Sequence, residues 1–173
     1  TAVKQGVLAL AWDGVITLKQ ELHPSKVLKL QWALSVDKYE AKHKKYCRIV
    51  EQLQNFYAKN GIVAVQMKGV GFSAIYNVPA HREGGDIDIY TYSADQNVIS
   101  DENANSLANE LMLSQGIEVD YSHSEKHSNF YFEGIPVENH QWFVNQEIQS
   151  AFITKLNGIL KNLLNPKIEI LLD

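Results

Sequence analysis

The feature that most restricts the fold is a change of hydrophobic period at a single glycine. From Asp37 to about Asn60 the apolar residues Tyr39, Tyr46, Ile49, Val50, Leu53, Phe56 and Tyr57 recur along a helical stripe. Gly61 stands where the C′ residue of such a helix is expected. Ile62 to Met67 is then a short β-rich run that reads as a buried strand ending at Lys68-Gly69. A long amphipathic helix that feeds directly into a strand points to a layered arrangement of helices on a sheet.

The rest of the chain extends that pattern. Residues 1–36 read as a helical segment in two pieces, broken near Gly14 or His23-Pro24. Pro24 suits the first turn of a helix, and Val27, Leu28, Leu30 and Leu34 give that helix an apolar face. Val70 to Tyr76 can form a short helix, followed by a polar loop from Asn77 to Gly85. Asp86 to Tyr92 alternates as a strand, with Ile87, Ile89 and Thr91 on one face and Asp86, Asp88 and Tyr90 on the other. Asp101 or Asn103 can cap a helix that runs to Gln115 and stops at Gly116. Ile117–Tyr121, Asn129–Glu133 and Ile135–Gln141 read as strands, and a final helix spans roughly Gln146 to Leu164. The expectation is an α/β (α+β) fold, a mixed β-sheet flanked by helices. A helical segment over 1–36 would precede a domain over 37–173.

Composition narrows the functions. At 45% hydrophobic and 21% charged residues the 173-residue chain resembles an ordinary globular protein. Its net charge of −4 argues against a broad basic surface for nonspecific nucleic-acid binding, although a local pocket for an anionic ligand remains open. Cys47 is the lone cysteine, so no intrachain disulfide can form, which fits a reducing, cytoplasmic setting. No apolar run approaches the roughly 20 residues needed to span a bilayer. The start at Thr1 and the apolar end Ile168–Leu172 are read as signs of a fragment.

Asp86 and Asp88 are the first candidates for chemistry. Carboxylates at i and i+2 of a strand share a face and repel each other unless a cation lies between them. Mg2+ or Mn2+, which prefer oxygen ligands, would serve. Taken alone, such a pair more often lies on a solvent-facing edge strand. The context favours the cation, because Lys68-Gly69-Val70-Gly71 ends one strand and opens a helix upstream. Glycine there allows close backbone approach to a ligand, and helix N-terminal N–H groups favour phosphate.

Lys68-Gly69, Ala74-Ile75-Tyr76, Arg82 and Gly85-Asp86-Ile87-Asp88-Ile89, followed by Val137-Glu138-Asn139-His140, resemble the spaced motifs of the uncharacterised nucleotidyltransferase family of the DNA polymerase beta-type superfamily. The resemblance covers roughly Asp37 to Trp142. It implies a catalytic and metal-binding set of Asp86, Asp88 and Glu138 holding two divalent cations; the residues read as candidates for the nucleotide are Lys68, Gly69, Gly71, Ser73 and Arg82. The implied reaction moves a nucleoside monophosphate from a nucleoside triphosphate such as ATP to an acceptor that is a small molecule, a protein or RNA. A binding module of the same fold without catalysis is the alternative. The wider superfamily carries serine after the glycine of the first motif, whereas Val70 stands here, with Gly71 and Ser73 the nearest substitutes. A further helical region for the acceptor would come from the N-terminal helices, the last helix or a partner chain.

The remaining candidates are weaker. Arg82 can contact a phosphate or pair with an aspartate, or simply be solvated. His81 is read as solvated. His140, two residues beyond Glu138, can line the pocket as a proton carrier or secondary ligand. A zinc site from His123, His127 and His140 has little support from their spacing, and His127 and Asn129 are weak candidates for substrate contact. Tyr90 and Tyr92 can stack on a base or pack. Lys42, Lys44, Lys45 and Arg48 are read as a solvated helix face, and Trp12, Trp32 and Trp142 as core or interface residues.

Overall fold

The computed structural model describes residues 2–95, 97–98, 100–122, 126–144 and 151–163. Helix α1 (Leu8–Ile16) is followed by a 3-10 turn and by the 33-residue helix α2 (Lys26–Ala58). Strand β1 (Ile62–Gln66), the one-turn helix α3 (Val70–Ser73) and strand β2 (Ile87–Ser93) come next, with a 3-10 turn at Pro79–His81 in the intervening loop. Helix α4 (Asp101–Ser114), strands β3 (Val119–Asp120), β4 (His127–Phe132) and β5 (Ile135–His140), and helix α5 (Ala151–Leu163) complete the order. The start expected for the last helix, Gln146, lies outside the described residues.

The five strands lie in the order β1-β2-β5-β4-β3. β2 and β5 run parallel, and the other neighbours are antiparallel. The mixed sheet with flanking helices is as read from the sequence. One face carries Ile62, Ala64, Ile87, Ile89, Phe130 and Val137, which form a core with Ile49, Leu53 and Tyr57 of α2 and Ala108 and Met112 of α4. At roughly 2 kcal/mol for each large apolar side chain removed from water, this layer dominates the stability. The central strand β2 is buried on both faces, so its alternation separates core from site rather than core from solvent.

Three local readings change. Helix α2 begins at Lys26, capped by Ser25, whose Oγ accepts from Leu28 N at 3.3 Å, so Pro24 stands just before the cap instead of in the first turn. It then runs unbroken through Asp37. Val27, Leu28, Leu30 and Leu34 are 49–68% exposed, because this end of α2 packs only partly on α1, through Trp12 against Trp32 and a bond from Trp32 Nε1 to Leu8 O at 3.0 Å. Helix α4 is capped by Ser100, whose Oγ accepts from Asn103 N at 3.4 Å, not by Asp101 or Asn103. No helix among the described residues is long and apolar enough to cross a membrane.

Candidate active site

Strand pairing assembles the site. The parallel register sets Asp88 beside Glu138 and Tyr90 beside His140. Asp86 sits just before β2, and the ligand oxygens of Asp86, Asp88 and Glu138 all lie within 4.8 Å of one another. This donor set is all oxygen, which suits a hard divalent cation such as Mg2+ or Mn2+. A positive group already answers the negative charge there, since Lys68 Nζ lies 2.6 Å from Asp88 Oδ1.

Lys68 is held there by backbone geometry. Met67 N donates to Asp88 O at 3.0 Å, extending the β1–β2 ladder by one residue. Gly69 then turns the chain at φ 65 and ψ −124, a region that essentially only glycine occupies. A Cβ at Gly69 would lie 2.9 Å from Gln66 Nε2 and 3.5 Å from Asp86 O. On the far side of the loop, α2 fixes the approach to Asp86: Lys42 Nζ donates to Gly84 O at 2.6 Å and Tyr46 Oη to Gly85 O at 2.7 Å. Lys45 and Arg48 reach Glu133 in the same way. The basic run is therefore on the surface, but three of its members tie α2 to loops instead of facing only water.

His140 is fully buried and directs Nε2 to Asp88 Oδ1 at 2.9 Å and to Glu138 Oε2 at 3.2 Å. Burial pushes the Asp88 carboxyl upward, but hydrogen bonds from His140 and Lys68 and their charges outweigh it and hold the group at about 2. Asp88 is thus ionised at neutral pH. The Lys68 ammonium is raised, chiefly by its bond to Asp88. Opposite His140 on β4, burial lowers His127, with the charges of His140 and Lys126 acting in the same direction against Glu138.

The residues expected to meet phosphate are arranged differently. Gly71 N donates to Gln66 Oε1 at 3.1 Å. Ser73 is buried and its Oγ donates to Val70 O at 2.5 Å. Arg82 donates from Nη1 to Gly69 O at 3.1 Å and covers the Phe72 ring, so it braces the glycine turn. Tyr90 is buried, packed on Phe143 with centroids 4.2 Å apart and under Lys161 of α5.

His81 is not solvated. It is 6% exposed, with Nδ1 2.7 Å from Asp13 Oδ1 and Nε2 3.2 Å from Glu40 Oε1, and it pins the loop before Asp86 to α1 and α2. Behind the site, Asn109 Oδ1 accepts from Asn139 Nδ2 at 2.9 Å and from Ser128 Oγ at 2.8 Å, while Asn105 Nδ2 donates to His140 O at 3.1 Å. This buried network, which locks the backbone of β5 between Glu138 and His140, was not anticipated. Its trace in the sequence is Asn105 and Asn109 at i and i+4, beside the buried stripe Ala104, Ala108 and Met112. His123 lies outside the described residues.

No curated protein and no solved structure matches the chain. The family described as uncharacterised nucleotidyltransferase matches residues 1–167, helices and sheet together. With nearly its whole length covered, the chain belongs to the uncharacterised nucleotidyltransferase family, and nucleotidyl transfer is its class of chemistry.

Proposed function

We propose that the chain transfers a nucleoside monophosphate from a nucleoside triphosphate to an acceptor, with Asp86, Asp88 and Glu138 holding Mg2+ or Mn2+. The observation that carries this reading is the convergence of three carboxylates, from two sequence-distant segments that pair in the sheet, to within 4.8 Å. A divalent cation bound there supplies charge neutralisation for the triphosphate and for the oxygens that attack and leave. The chain's own residues do the rest. Asp88 stays ionised and is buried, so its position is fixed before any ligand arrives. Lys68, more than half exposed on a flexible stem, can exchange Asp88 for a phosphate oxygen. The Gly69 turn sets the distance between Lys68 and the carboxylates. In the reaction the acceptor oxygen, giving up its proton to solvent, bonds to the α-phosphorus as the bond from that phosphorus to the α,β-bridging oxygen breaks and pyrophosphate leaves.

One observation favours a binding module without catalysis. The Gly71 N–H and the Ser73 hydroxyl are engaged within the protein, and Val70 offers no hydroxyl. Calorimetric titration with Mg2+ and a nonhydrolysable triphosphate tests the pocket. Absence of binding, or binding unchanged in Asp86→Ala/Asp88→Ala, would sink both readings. Transfer of label from α-labelled triphosphates then separates them, since a protein that binds yet never transfers is the module.

A further inference from the structure

We infer that His127, His140 and Glu138 form a second divalent-cation site, one that takes an imidazole-preferring metal such as Zn2+ or Co2+ and shares Glu138 with the all-oxygen group. It does not depend on nucleotidyl transfer, because its ligands are defined by the β4–β5 pairing alone.

The antiparallel register sets His127 directly opposite His140 and Asn129 opposite Glu138. Alternation along each strand therefore places both imidazoles and the carboxylate on one face. His140 Nε2 lies 3.2 Å from Glu138 Oε2, and His127 Nε2 lies 3.7 Å from Glu138 Oε1. The two rings are 5.0 Å apart, and one ligand atom from each of the three residues falls within 4.8 Å of the others. Zn–N and Zn–O bonds near 2.0–2.1 Å at a tetrahedral centre put neighbouring ligand atoms roughly 3.3 Å apart. The two nitrogen–carboxylate distances, each to its own oxygen of Glu138, lie close to that edge. Hydrogen bonding alone explains the cluster less well, because 3.7 Å is too long for a bond from His127 to Glu138. In either protonation state His140 also has at most one Nε2 proton for two carboxylates, and a metal at Nε2 would replace that proton and its bond to Asp88.

Surroundings fit a metal that stays accessible. The His140 side chain is 1% exposed and that of His127 is 17%, so the nitrogen ligands are fixed and partly dry. Glu138 and His127 also line an open groove of about 890 Å3 between β3, β4 and β5, with Asp120, Asn129 and Tyr131. With Glu138 and His127 facing the groove and His140 buried behind them, three protein ligands leave a coordination position for water or a ligand atom on the groove side. Two imidazoles discriminate against Mg2+, which prefers oxygen.

The test is a Co2+ titration of the metal-free protein without nucleotide, read by visible absorption and by the proton NMR of the histidine rings. The expected result is saturable binding with two paramagnetically shifted histidines, resistant to millimolar Mg2+. His127→Gln should weaken Co2+ binding by at least about 10- to 100-fold, the loss already typical of removing a group that only supports a ligand, whereas Asp86→Asn should leave the histidine shifts in place. Shifted resonances from one histidine or none in the wild-type protein would overturn the proposal without any variant. So would loss of binding in Asp86→Asn with retention in His127→Gln. Neither outcome touches Mg2+–nucleotide binding, so this site and the proposed transferase reading fail separately.

Discussion

One oxygen of Asp88 accepts from two donors, Lys68 Nζ at 2.6 Å and His140 Nε2 at 2.9 Å. The lysine stands where a divalent cation would compete for the same lone pairs. Lys68→Met is therefore expected to tighten the binding of Mg2+ alone by up to about fivefold, the range for a half-exposed ion pair. The same change should weaken triphosphate binding. Calorimetry with each ligand separately checks both signs, and looser Mg2+ binding would contradict the competition.

Glu138→Gln keeps the shape of the side chain but removes its charge from the group it forms with Asp86 and Asp88. Label transfer should fall at least about a hundredfold, because metal-based charge stabilisation is worth several kcal/mol. Chelation of the wild-type protein should abolish transfer, and Mg2+ or Mn2+ should restore it. Transfer that persists in the chelator would remove the metal from the mechanism.

Gly69 occupies a backbone region closed to other residues and sits close to Gln66 and Asp86. Gly69→Ala should cost about 1–3 kcal/mol, the usual range for such strain. Urea denaturation measures it. A stability within a few tenths of wild type would show that the turn relaxes freely.

His81 carries the pH dependence that can be read from geometry. Burial pushes its pKa down, but the hydrogen bonds to Asp13 and Glu40 and their charges prevail and raise it above 6.5. Its folded pKa therefore exceeds its unfolded one. The stabilisation is fully present below pH 6.5 and is lost as pH rises through the raised value. The Tm of the wild-type protein should fall relative to His81→Gln across that interval, and parallel curves would refute the link.

Asn109 gathers two buried donors on one oxygen. Asn109→Ala should cost about 1–3 kcal/mol for each donor left without a partner. Because Asn139 lies between Glu138 and His140, metal affinity should fall along with stability. A loss confined to stability would show that the network supports the fold alone.

Much of the site was legible because strands carry a two-residue period. Asp86-Ile87-Asp88-Ile89 reads directly as carboxylates on one face and core on the other, and the core residues Ile87 and Ile89 are buried as that pattern requires. What the sequence hid depends on long-range pairing. The contact of Lys68 with Asp88 needs the β1–β2 register, and the ties of His81 need α1 and α2 brought to one loop. A histidine in a polar loop looks solvated until its two acidic partners, one 68 residues away in the sequence and the other 41, are placed beside it. The apolar stripe from Val27 to Leu34 lies on a helix as read, yet it is left largely exposed, which the sequence hid for the converse reason. Periodicity reports that a face is apolar, and only packing decides whether anything covers it.

The parallel pairing of β2 with β5 gives the site a place in time as well as in space. Asp88 and His140 are 52 residues apart, and β1, beside Lys68, is complete long before β5 exists. Pairing at that separation closes a long loop and forms late. During synthesis the two aspartates therefore emerge as a repelling pair beside a lysine, and the three-carboxylate group arises only once β5 docks. On the proposed reading, cation binding would report that the sheet is finished, and a metal bound at that moment would act as a clamp on β5.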